Sequence, residues 1–174
     1  MIAYLVNWLI YYFGWFLCVY LGGMGYSLAS AGISFLLIIG QLGVTFFENR
    51  PLFYQDLRLA GVSLILGIGM EMGFMHYGLL RYHEAFYFPP LWLTMLYPLF
   101  AVTLNHSLVW INKWKWLPFF LGGIGAPLSY RAGAALHALL IQPPELLSLV
   151  KIGVVWGAYL TAILYINLTF CCKK

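Results

Sequence analysis

The chain has 174 residues, of which 63% are hydrophobic and only 8% charged, with a formal net charge of +4 and a mean hydropathy of +0.88. Soluble domains carry about 25% charge, so this composition excludes an ordinary soluble protein and places the chain in lipid. The modest positive charge sits in the polar connections and requires no nucleic-acid partner.

Residues 1–47 contain no Asp, Glu, Lys or Arg. As one helix they would run about 70 Å, roughly twice the hydrocarbon thickness of a bilayer. The chain is therefore expected to turn back at Gly22-Gly23-Met24-Gly25. This N-terminal run is too long and lacks the basic start of a cleaved signal peptide, so Met1 is expected to stay with the first span. At about 20 apolar residues per span, about six spans are predicted, near 2–21, 28–47, 59–80, 91–111, 117–138 and 150–170. The prediction is an all-α membrane helix bundle: one integral domain, 1–174, with short loops.

In this topology Arg50, Arg58, Lys113, Lys115, Lys173 and Lys174 share one side, against Arg81 and Lys151 on the other. Positive residues favour the cytoplasm, which puts both termini there. The aromatic share of 19%, gathered at Tyr4 and Trp8, at 82–92, and at Trp110, Trp114 and Trp116, fits interfacial belts as well as ordinary packing. Cys18 reads as an apolar filler, and Cys171-Cys172 beside two lysines as a possible lipidation site rather than a prenylation box.

Polar side chains inside spans are expensive unless paired. At 1.5 Å per residue, Asn7, Gln41, Asn105, His106 and Asn167 fall at similar depth in four spans, with Ser107 beside them. Two readings stay open. These groups fix helix packing by interhelical hydrogen bonds, or they line a polar pocket with His106 as its titratable member. Deeper in, Glu71 and Arg131 carry opposite charge at similar depth. Because a lone charge there costs about 3 kcal/mol or more, a Glu71–Arg131 contact is expected, direct or through Tyr130 or a water. Pro127, preceded by Gly122, Gly123 and Gly125, marks a kink or hinge in span five. Gly125, Ser129 and Gly133 recur at helical spacing together with His137. With Gly69/Gly73 and Gly153/Gly157 they suggest that spans three, five and six pack closely, or that they form a homodimer face.

Walker-type phosphate loops, HExxH, CxxC and Gly-x-Ser-x-Gly motifs do not occur, so no cofactor is expected. Glu71 is read as the one acid within a span, which argues against a paired-carboxylate site. His76, His83 and Glu84 near one surface make a weak metal signature, and no metal is expected.

Several stretches together are distinctive: Pro90-Leu91-Trp92-Leu93; Thr103-Leu104-Asn105-His106-Ser107-Leu108-Val109-Trp110; and Ala126-Pro127-Leu128-Ser129-Tyr130-Arg131-Ala132-Gly133. With Asn7 and Gly14-Trp15-Phe16, they resemble the bacterial inner-membrane family of unknown function numbered 2878. The resemblance implies a multi-pass protein of the bacterial cytoplasmic membrane with no assigned reaction. It also implies an association with fatty-acid-modifying genes, including cyclopropane-type methyltransferases. Two departures from the family pattern are Glu71, where Asp is common, and His137 within a Gly-Ala stretch. The function expected is a non-catalytic accessory to lipid or envelope modification, its partners the bilayer and another membrane protein or a second copy. The alternatives are a small transporter using the polar layer, and an intramembrane enzyme using His106 on a lipid-borne substrate.

Overall fold

The computed structural model describes residues 2–83 and 87–171, with side chains described within 5–169. Met1, Glu84, Cys172, Lys173 and Lys174 lie outside the described residues, as does the side chain of Cys171. Six α-helices run α1 (Ile2–Gly23), α2 (Ser27–Glu48), α3 (Arg50–His76), α4 (Leu91–Ala101), α5 (Leu117–Ala135) and α6 (Glu145–Cys171). Of these, α1, α2, α3 and α6 are long and apolar enough to cross a membrane. The predicted reversal after Gly22-Gly23 is present, with Gly25 at φ 83°.

The connection between α2 and α3 is far shorter than the loop expected at 48–58. Asn49 alone separates the helices: it is extended, its amide bonds Thr45 O, and its side chain accepts from the Leu52 amide at 3.2 Å. An Asn N-cap followed by Pro51 in the first turn starts a helix at once. Residues 50–58, charged as they are, are therefore helical, and Asp56 is turned into the bundle with 0% exposure.

Span four also differs from expectation. Helix α4 has 11 residues, about 16 Å at 1.5 Å per residue, or half a bilayer. It is followed by turns at 102–108 and a 3-10 helix, Val109–Lys113. The break consists of successive i→i+3 bonds, from Thr103, Leu104, His106 and Val109 amides back to the carbonyls of Phe100, Ala101, Thr103 and His106. The Thr103 hydroxyl bonds Phe100 O at 2.6 Å, the kind of local side-chain competition that loosens helices. Non-helical backbone at membrane depth is tolerated only where protein covers it or a cavity adjoins it. Here Val102, Thr103 and Leu104 are at most 1% exposed. Helix α4 is central, packing against α1, α2 and α3.

At Pro127 the helix is not broken: α5 is helical throughout Leu117–Ala135. The reason is a close fit to α6, the most extensive helix pair in the molecule. A Cβ on Gly122 would stand 2.7 Å from Trp156 O, and one on Gly157 2.6 Å from Phe119 O. Two backbones this close hold α5 continuous past its proline. The small-residue pairing thus joins α5 to α6, whereas Gly69 and Gly73 of α3 face open space. His137 lies beyond α5 at φ 58° and forms its left-handed cap, with the Ala138 amide bonded to Gly133 O. A two-residue antiparallel ladder, β1 (Leu80–Arg81) with β2 (Leu140–Ile141), ties the connections at that end.

Candidate functional site

Three features meet around broken span four: a polar cluster, a buried carboxylate cage and an apolar cavity. The cluster lies at the end of the bundle that carries Asn49 and Lys113. Asp56 of α3 accepts from Asn105 Nδ2 at 2.8 Å on one oxygen and meets His106 Nε2 at 2.7 Å on the other. Asn167 of α6 donates to Asn105 Oδ1 at 2.6 Å. Beside them Asn7 of α1 donates to Gln41 Oε1 of α2 at 2.8 Å and accepts from the Ser107 hydroxyl at 2.7 Å. The structure thus brings together Asn7, Gln41, Asn105, His106 and Ser107 in two linked groups drawn from α1, α2 and the break. Gln41 Nε2 is a buried donor with no partner among the described residues.

Sequence reasoning misses Asp56, because the charge density of 48–58 points to a loop. Its signal was the Asn49-Arg50-Pro51 start, which begins α3 early enough to turn Asp56 inward. Glu71 is therefore not the single acid within a helix of the bundle. The Asp56–His106 contact joins α3 to the break in span four at 2.7 Å. Its imidazole side chain keeps 21% exposure while the carboxylate keeps 1%. A buried acid fixing one ring nitrogen sets the orientation of the other, so the His106 ring is held in one orientation with its second nitrogen directed away from Asp56.

The second feature corrects the expected Glu71–Arg131 pair. Glu71 is fully buried, and its oxygens accept from Tyr82 at 2.8 Å, from Tyr97 at 2.5 Å and from Tyr130. Arg131 is exposed. Neighbouring helix positions point about 100° apart, so only one of Tyr130 and Arg131 can face α3, and it is the tyrosine. Three phenol donors satisfy the carboxylate without a counter-charge. Tyr82 lies outside the helices. Burial first, and then the adjacent Glu71 charge, pushes its phenol well above the ordinary range, so it stays a donor.

The third feature, invisible in the sequence, is a cavity of about 320 Å³ walled by α1 and α5 and floored by α4 and α6. That is within the usual range for ligand pockets, about 300–1,000 Å³. It extends from Trp8 to Val19 along α1, about 16 Å. Trp8 and Tyr12 form one lip and Gly125 and Ser129 the other, all four exposed. Tyr97 and Tyr130 bring the Glu71 cage to its wall, and Ser107 brings the polar cluster to its end. Near Arg81 the walls converge, because Gly23 abuts the Leu136 carbonyl. Of the expected packing residues, Gly122 and Gly133 are buried against neighbours, while Gly125 has nothing within 4 Å of an added Cβ.

The family model "Protein of unknown function (DUF2878)" matches residues 4–162. The chain belongs to this family. No curated protein and no solved structure matches it. In this DUF2878 protein the matched region covers the carboxylate cage, the cavity and all of the polar cluster except Asn167. The described residues contain no group of three or more His, Cys, Asp or Glu able to hold a metal ion. His76 and His83 form no such group, and Glu84 lies outside the described residues.

Proposed function

We propose that this is a multi-pass protein of the bacterial cytoplasmic membrane that holds one hydrocarbon chain of a membrane lipid between α1 and α5. Its role is that of a non-catalytic accessory, presenting or retaining that lipid for modification by a partner. The observation that carries the reading is the cavity: apolar and aromatic, about 16 Å long at helical rise, and bordered by exposed lips on helices that otherwise barely touch. A lipid chain entering from the bilayer meets Trp15, Phe100 and Leu121.

Gly125 gives a clean test, since its Cβ direction is empty. Gly125→Phe should fill the cavity without moving α6, and the purified protein should lose co-purifying lipid detected by native mass spectrometry. Unchanged lipid retention in a correctly folded Gly125→Phe protein refutes the reading.

A second reading, an intramembrane enzyme, is favoured by the oriented Asp56–His106 pair beside Ser107. Here lipid profiles of deletion cells separate the two. Rescue by wild type but not by an accumulating His106→Ala protein supports catalysis; rescue by both supports the accessory role.

A further inference from the structure

The cavity is closed near Arg81, where Gly23 meets the 136–138 turn, and its opposite end reaches Trp110 and Ile111 of the 3-10 helix. We propose that its occupant is an anionic lipid, with a chain between α1 and α5 and a phosphate headgroup bound by Lys113 and Lys115. The inference rests on the chain-binding reading above and adds the headgroup class.

A chain in a pocket closed at one end leaves its head at the other. In a 3-10 helix residues i and i+3 eclipse, so Lys113 stands on the face of Trp110, at the mouth. Lys115 is exposed between Trp114 and Trp116, whose rings stack at 5.7 Å. Indoles and lysine ammonium groups both settle at headgroup depth. No acidic residue occurs from 85 through 144, so this segment does not neutralise its own lysines. Of the acids at this end, Asp56 is buried on His106 and Asn105, and Glu48 lies beside Arg50 at the α2–α3 corner. The mouth therefore presents positive charge to whatever head emerges there, and anionic headgroups are drawn to such clusters.

The test uses the full-length protein in mild detergent. It is offered phosphatidylglycerol and phosphatidylcholine of identical chains, and bound lipid is read by native mass spectrometry. Each lysine near a headgroup contributes a factor of about five, so wild type should favour the anionic lipid roughly 25-fold. Lys113→Gln with Lys115→Gln should bring that ratio near one while a lipid is still retained. Lys113→Arg with Lys115→Arg should keep the preference. Equal retention by wild type, or a preference that survives the double glutamine change, overturns the headgroup inference and leaves chain binding intact. Lipid retained in Gly125→Phe overturns the chain-binding reading itself, and the inference with it.

Discussion

Asp56→Ala separates the folded arrangement from the loop that the sequence suggests. Asp56 is 0% exposed, and both of its oxygens are engaged, by Asn105 at 2.8 Å and His106 at 2.7 Å. Removing a buried acceptor leaves each of its two donors unsatisfied at about 1–3 kcal/mol, whereas neutral interhelical bonds in membranes average only about 0.6 kcal/mol. His106 keeps 21% exposure and can recover some solvation, which favours a total of about 3 kcal/mol. For a chain of this size that corresponds to a fall in Tm of about 6–12 °C. Thermal unfolding in mild detergent measures it. His106→Ala and the double variant complete a cycle in which the two sites should couple by about 1–2 kcal/mol. A change within about 0.5 kcal/mol, as expected for an exposed loop residue, or strict additivity of the two substitutions, refutes the buried pair.

The backbone sets three further outcomes. Gly157→Ala places a methyl 2.6 Å from Phe119 O and should destabilise the α5–α6 pair by about 2 kcal/mol. Gly73→Ala, which enters open space in a helix, should stabilise by about 0.5 kcal/mol; equal effects at the two sites in thermal unfolding would contradict the packing described. His137→Gly relieves a left-handed cap at φ 58° and should raise stability by about 1 kcal/mol, read as a higher Tm with the same lipid content.

The sequence by itself determined the environment and the helical class. Long uncharged runs cannot satisfy their backbone in lipid except as helices, and the glycines after residue 21 fixed the first reversal. It also marked the polar layer, because Asn7, Gln41, Asn105 and Ser107 share a depth that helical rise alone computes. Depth is the only coordinate such arithmetic supplies. It gives no azimuth around the helix, so Glu71 and Arg131 looked paired when the 100° step (about 3.6 residues per turn) turns Tyr130 inward and Arg131 outward. Charge counting read 48–58 as a loop, while one Asn cap made it helix and buried Asp56. Proline suggested a break in α5, yet packing on α6 keeps that helix continuous, and the break falls in span four, where local turns bring Asn105 and His106 to Asp56. The cavity had no sequence signature at all. It exists because Gly23 of α1 meets the 136–138 turn that follows α5 while the two helices part away from it, and a space between helices belongs to none of the segments that line it.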